Sequence, residues 1–212
     1  MEERKVFIIN QDNIINAGCF DFAKALQTAE DVVRAYANGA VLYPDKVSQI
    51  FDETTQDRIN CLPATLLNEG VCGMKWVSVF PFNKGKGVQN LSATILLSSL
   101  QTGFPIAFME GTLCSNLRTA AVSALAAKYL AKSNPKTVGF VGAGQQARFH
   151  LLALANLFPS IESCYVASRT HDSELDFINE LKSLCPKIKF VDCVSDYEKA
   201  VSNADILVSA IS

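Results

Sequence analysis

Two rhythms of apolar and polar positions divide the chain. From Thr137 onward, short unbroken apolar runs alternate with helix-length stretches. The runs are Thr137–Val141, Ser163–Ala167, Ile188–Val191 and Ile206–Ile211. The stretches between them are Gln145–Leu157, Ser173–Leu184, opened by a cap-like "DSE", and Asp196–Asn203. Strands apolar on both faces, alternating with helices, predict a parallel sheet covered on both sides. Right-handed crossovers then wind it doubly. Before Thr137 the rhythm differs. A strand at Val6–Ile9 precedes an alanine-rich helix over about Phe22–Asn38, ended by Gly39. Strand-like runs follow near Val47–Phe51, Arg58–Leu62, Val71–Phe80, Leu91–Ser98 and Ile106–Glu110, with Gly and Asn turns such as "NKGKG" between them. That spacing predicts an antiparallel sheet. A helix from about Thr112 to Lys132 then leads into "SNPK". The expected fold class is α/β: an α+β domain over residues 1–133, then a nucleotide-type domain with a doubly wound parallel sheet over 134–212.

The first strand–helix junction of the second domain reads "VGFVGAGQQARFH", with Gly142-x-Gly144-x-x-Ala147 between strand and helix. Gly142 permits the tight turn, Gly144 lets backbone approach a diphosphate, and Ala147 lets the helix pack close to the sheet. The helix would aim its positive end at the phosphates. A purely structural turn is the competing reading. At the end of the next strand, "YVASRTHD" offers Ser168, Arg169 and Thr170 where an NAD site wants an acid for the ribose hydroxyls. A guanidinium grips a 2′-phosphate that an acid would repel, so the expected cofactor is NADP(H), with NAD as the alternative. In the plainer account Arg169 is solvated and Asp172 serves the ribose.

Two cations stand where the pattern wants apolar residues. Alternation along "VCGMKWVSVF" places Lys75 on one face with Val71, Val77 and Val79. The Thr112–Lys132 helix is apolar nearly all round from Ala120 to Ala131, as a buried helix is. Helical spacing puts Arg118 on a stripe with Cys114, Val122, Leu125 and Tyr129. A cation on such a face needs an anion. Either an internal ion pair supplies it, with Glu110 nearest to Arg118, or Lys75 and Arg118 hold a substrate carboxylate. The pattern leaves both open.

Composition narrows the classes. Lys and Arg number 19 against 21 Asp and Glu, a net charge of -2, which argues against a nucleic-acid partner or an anionic membrane surface. No apolar run reaches the ~20 residues of a membrane span, and "MEERKVFIINQ" lacks the pattern of a secretory signal. The seven cysteines form an odd set without a C-x-x-C pair, expected to be reduced in a cytoplasmic protein. With His150 and His171 the only histidines, no metal site is expected. "FNKGKGVQN" lacks the strand–helix setting and Lys-Ser/Thr ending of a Walker loop, so it reads as a hairpin tip.

"GTLCSNLRTAAVSALAAKYLA" followed by "TVGFVGAGQQARFH" resembles the ornithine cyclodeaminase/mu-crystallin family. "GMKWVS", "TILLSSLQTGFPIAFMEGT" and "ADILVSA" extend the likeness over almost the whole chain. The resemblance implies hydride exchange between a nicotinamide and the carbon bearing an amino or imino group. It implies that Lys75 and Arg118 bind the carboxylate of an amino or imino acid. Lys46 in "YPDKVSQ" would assist, a lysine where arginine is expected, and Lys75 is also the candidate to exchange a proton with the substrate nitrogen. Thr119, Gly142, Ala143, Gly144, Gln145, Gln146, Ala147, Ser168, Arg169 and Thr170 would hold the cofactor. "SRTH" resembles the NADPH-binding mu-crystallin branch. "INAG", "DRINCLP" and "GMKWVS" look like the branch that oxidises N-(2-amino-2-carboxyethyl)-glutamate to release 2,3-diaminopropionate. A homodimer through the first domain's sheet is implied, with the Val71–Phe80 and Leu91–Leu97 strands as its face. Relatives continue past the fourth parallel strand, so a C-terminally truncated chain with an incomplete Rossmann sheet is expected. Two alternatives stay open: a cyclodeaminase that releases ammonia without net redox change, and a non-catalytic NADPH-dependent binding protein.

Overall fold

The computed structural model of the protein describes residues 5–211, so the first four residues of the opening segment read above, and Ser212, lie outside it. Packing divides the chain into two compact units. One comprises the described part of Met1–Phe20 together with Asp31–Ser115; the other comprises Asp21–Glu30 and the described part of Asn116–Ser212. The division at 133/134 follows chain order, whereas packing groups the stretch after Ser115 with the parallel sheet.

The first unit is a seven-stranded sheet. Its strands are β1 (Phe7–Ile9), β2 (Val41–Leu42), β3 (Val47–Asp52), β4 (Asp57–Leu66), β5 (Val71–Val79), β6 (Leu91–Ser99) and β7 (Pro105–Glu110). Their order is β1-β7-β6-β5-β4-β2, with β3 also pairing β4. All pairs are antiparallel except β1 with β7, which is parallel. Strand β4 runs four residues beyond the expected Arg58–Leu62, because Pro63 to Leu66 stay in register with β5. The "NKGKG" segment is a 3-10 turn over Asn83–Lys86 joining β5 to β6, as a hairpin tip. A short helix α1 (Gln11–Asn16), which the apolar pattern does not reveal, is held by a capping box between Asn10 and Asn13.

The second unit is the expected parallel sheet. Strands β8 (Thr137–Val141), β9 (Ser163–Ala167), β10 (Lys189–Asp192) and β11 (Ile206–Ser209) lie in the order β10-β9-β8-β11, all parallel. Helices α4 (Gln145–Leu157), α5 (His171–Leu181) and α6 (Tyr197–Ser202) make the crossovers. Val138, Phe140, Leu151, Leu154, Cys164, Val166 and Phe177 form its buried core. Phe177 meets Phe140 at 5.6 Å between ring centroids and Phe190 edge-on at 6.4 Å.

Helix α2 (Phe22–Ala37) and helix α3 (Thr112–Leu130) each contribute to both units. Within the second unit, buried Glu30 accepts from Lys128 Nζ at 2.6 Å and from the Tyr129 hydroxyl at 2.5 Å. Helix α3 corrects one expectation. It is not buried all round from Ala120 to Ala131: Ala120, Ala121, Ala124 and Leu125 are buried, whereas Val122 is 48% exposed, Tyr129 60% and Leu130 84%. The stripe assigned to Arg118 is therefore mixed, with Leu125 buried, Cys114 half-buried and Val122 and Tyr129 exposed, and Arg118 is itself exposed. Val122, Tyr129 and Leu130 hide the distinction in sequence, because a large apolar residue on an open face reads like a buried one. All seven cysteines are free thiols, as expected; Cys164, Cys185 and Cys193 are buried.

Candidate coenzyme and carboxylate sites

In the second unit the glycine loop sits where β8 passes into α4. Gly142 has φ +104°, and a Cβ there would lie 2.4 Å from the Ala210 carbonyl oxygen. Its amide donates to the Ala167 carbonyl at 2.8 Å. Gly142 is thus demanded by the turn and by the chain after β11. Gly144 differs: it is exposed, has φ -80°, and a Cβ there would meet nothing within 4 Å. It is the N-cap of α4 and supplies no side-chain cap. The N–H groups of the first turn have no acceptor inside the helix, and the positive end of the helix dipole lies beside them. Open backbone at such an end is a seat for an anion. Ala143 is buried, and its carbonyl accepts from Arg148, which also pairs with Glu180. Ala147 is fully buried, which lets α4 approach the sheet. Gln145 is exposed. Gln146 donates from Nε2 to Asn116 Oδ1 at 2.7 Å, while its buried Oε1 has no partner among the described residues. These residues fit the diphosphate of a dinucleotide.

At the end of β9 the three candidates separate. Ser168 is buried, and its hydroxyl donates to the Thr170 carbonyl at 2.8 Å. Arg169 is exposed. Thr170 is the N-cap of α5, with its hydroxyl 2.8 Å from that of Ser173. His171 Nε2 lies 3.0 Å from Asp192 Oδ2. That hydrogen bond to the carboxylate raises the imidazole pKa above 6.5.

In the first unit the register confirms Lys75 on one sheet face with Val71, Val77 and Val79. Lys75 stands opposite Leu62 on β4 and Ile95 on β6. Its Nζ donates to Ser115 Oγ at 2.9 Å. Ser115 is buried in the first turn of α3, and that turn is capped by Glu110, whose carboxylate accepts from the Thr112 and Leu113 amides. Glu110, the expected partner for Arg118, is thus engaged with main chain. Asn60, not singled out in the sequence, lies on the same face as Lys75, directly opposite Val77. It is buried, and its Oδ1 has no partner among the described residues. A polar residue between Arg58 and Leu62 in strand alternation was its only signal. Lys46 lies exposed between β2 and β3. Arg118 and Thr119 follow Ser115 on α3, with Thr119 half-buried.

A parallel-sheet domain with a glycine loop at its first crossover, joined to a mainly antiparallel unit carrying a part-buried lysine, defines a dinucleotide-binding class of α/β protein. Within that class, the chain belongs to the ornithine cyclodeaminase/mu-crystallin family, whose description matches residues 11–212. It is 28% identical over 211 residues to N-((2S)-2-amino-2-carboxyethyl)-L-glutamate dehydrogenase of Staphylococcus aureus, covering 97% of this chain and 62% of that one. Among solved structures, it superposes on an archaeal alanine dehydrogenase dimer with bound NAD with a TM-score of 0.86 and 32% identity, covering 97% of this chain and 60% of that one. Delta(1)-pyrroline-2-carboxylate reductase of Thermococcus litoralis, in complex with NADH and L-proline, gives a TM-score of 0.88 and 28% identity, over 96% of this chain and 61% of that one. The chain spans about 60% of the length of the relatives it matches.

Proposed function

We propose that the protein acts as an NAD(P)-dependent oxidoreductase on a small amino or imino acid, with NADP(H) preferred. The observation that carries this reading is the open backbone at Gly144, at the positive end of α4. The solved relatives in complex with NAD and NADH support the same class of ligand. The coenzyme supplies or accepts the hydride. The chain's part is to bind the diphosphate at Gly142–Ala147 and to fix the substrate carbon beside the ring. Anchoring a carboxylate serves that end, because fixed geometry removes several kcal/mol, about 7 in favourable cases, from the barrier. Lys75 is held at a defined place by Ser115, and Arg118 follows Ser115 by one helical turn. Both would anchor the carboxylate by charge-assisted hydrogen bonds. Lys46 adds charge to the same site, and Lys75 can exchange a proton with the substrate nitrogen. Arg169 and Thr170, exposed at the end of β9, would meet the adenosine ribose and its 2′-phosphate, with Thr119 on the cofactor's side. Ser168 contributes through its fold, since its hydroxyl is engaged by Thr170.

The proposed assembly is a homodimer through the sheet of the first unit. On the face opposite Lys75, Pro63, Met74, Leu96, Phe108 and Ile8 stand directly across from one another on five adjacent strands. Phe108 is 45% exposed and Ile8 73%, an apolar row that a second copy would cover.

Titration of the protein with NADPH and NADH tests the coenzyme reading: NADPH binds more tightly, and equal or tighter NADH binding removes the NADP preference. Turnover with amino acids, or with keto acids plus amines, tests the reaction. Net change in NADPH absorbance supports the oxidoreductase, whereas ammonia release without it indicates a cyclodeaminase. Arg118→Ala is expected to raise the substrate KM about tenfold or more while coenzyme affinity stays unchanged.

A further inference from the structure

Among the described residues Glu174 is the one acidic side chain with zero exposure, and nothing in the site described above uses it. It stands in the first turn of α5, and the tilt of side chains toward a helix N-terminus carries its carboxylate back over the strand ends. There it accepts four main-chain N–H groups. Oε1 receives Ser168 at 2.9 Å and Ser195 at 2.8 Å; Oε2 receives Val194 at 2.9 Å and, at 3.2 Å, the Cys193 amide, which also donates to the Val166 carbonyl at 3.0 Å. Four donors fill the acceptor sites of a carboxylate. Ser168 belongs to the loop after β9, and Cys193 to Ser195 belong to the loop after β10. Val194 and Ser195 have φ +52° and +62°, a left-handed pair without a glycine. Successive amides in such a conformation form a concave nest for an anion. Here the chain's own carboxylate fills the nest and ties both loops to α5.

Both loops lie at the carboxyl ends of parallel strands, where ligands of doubly wound sheets bind. The loop after β9 carries Arg169 and Thr170. We propose that Glu174 is a positioning residue for the adenosine side of the coenzyme: it sets the course of the loop that presents Arg169 and Thr170 by pinning Ser168 to the loop after β10. This inference rests on the coenzyme reading given under Proposed function.

The test uses the 212-residue chain with Glu174→Gln and the milder Glu174→Asp. Gln keeps the size but turns an amide NH2 toward N–H donors; Asp keeps the charge but loses reach. ADP-ribose and its 2′-phosphorylated form are titrated by calorimetry. The wild type is expected to bind both, the phosphorylated form more tightly. In Glu174→Gln both dissociation constants should rise roughly tenfold and the ratio between them should shrink, as loss of geometry at a site predicts. Glu174→Asp should fall between. A merely structural role would lower the fraction of binding-competent molecules, read as stoichiometry, and leave the affinity of folded molecules untouched. Amide exchange at Ser168 and at Val194 and Ser195 should accelerate together in both variants, whereas the Cys193 amide keeps its bond to the Val166 carbonyl. Unchanged affinity in both folded variants, or acceleration in one loop alone, overturns the proposal. A wild type that binds neither probe overturns the coenzyme reading and this inference together, so the two failures are told apart.

Discussion

Two glycines in one loop, Gly142 and Gly144, obey opposite constraints, and substitution separates them. Gly142→Ala would force a left-handed conformation and drive a methyl group against the Ala210 carbonyl; a loss of about 2–4 kcal/mol is expected in chemical denaturation. Gly144→Val meets open space at an ordinary φ, so stability should move by about 1 kcal/mol or less, yet coenzyme binding should be abolished. A Gly144→Val protein that still binds NADPH as the wild type does would remove the diphosphate from this loop. Asn60 offers a third contrast. Asn60→Leu removes a buried oxygen without a partner among the described residues and should stabilise the protein by about 1 kcal/mol. If that oxygen meets a donor on the substrate, KM rises about tenfold in the same variant. Gains in stability and losses in affinity at one residue mark a binding group.

Among the elements, β11 is held to β8 by charge as well as by strand pairing. Asp205, just before β11, accepts from Lys132, which follows α3, and from the Lys136 and Thr137 amides. These partners hold its carboxyl at about 2, below the ordinary 3.8. A carboxyl whose folded pKa is depressed stabilises the fold above its unfolded pKa and loses that contribution as pH falls through the folded value. The stabilisation is therefore complete above about pH 4 and lost toward pH 2. Asp205→Asn should cost about 1–2 kcal/mol at neutral pH, after allowance for partial exposure, and flatten the stability–pH curve between about pH 4 and 2. Element by element, strands β8 to β11 were legible because a strand apolar on both faces has one environment. Helix α3 was misread because Val122, Tyr129 and Leu130 are apolar yet exposed, so its composition carries no direction. Helix α1 escaped notice because its two turns rest on the Asn10–Asn13 capping box rather than on an apolar stripe.

At the scale of the molecule, the apolar row on the sheet of the first unit is the feature with the largest consequence. Trp76→Glu combined with Phe108→Glu places two charges on the face opposite Lys75. Analytical ultracentrifugation should find a dimer for the wild type and a monomer for the double variant, with far-UV circular dichroism unchanged. A monomeric wild type over the concentrations used for binding would refute the dimer.

The alternation of strand and helix, the glycine spacing after β8 and the cation in β5 each rest on neighbours within a few residues. Local periodicity, turn chemistry and steric need were therefore enough to read them from the chain. Contacts between distant segments were out of reach of any local pattern. Lys75 meets Ser115 only because β5 and the first turn of α3 pack together. Glu174 holds amides from two loops only because the parallel sheet brings the ends of β9 and β10 side by side. Asn60 gained its meaning from burial on the face of Lys75. Register and packing decide which polar groups are buried and which donors reach them, and these are properties of the assembled sheet rather than of the residues in sequence.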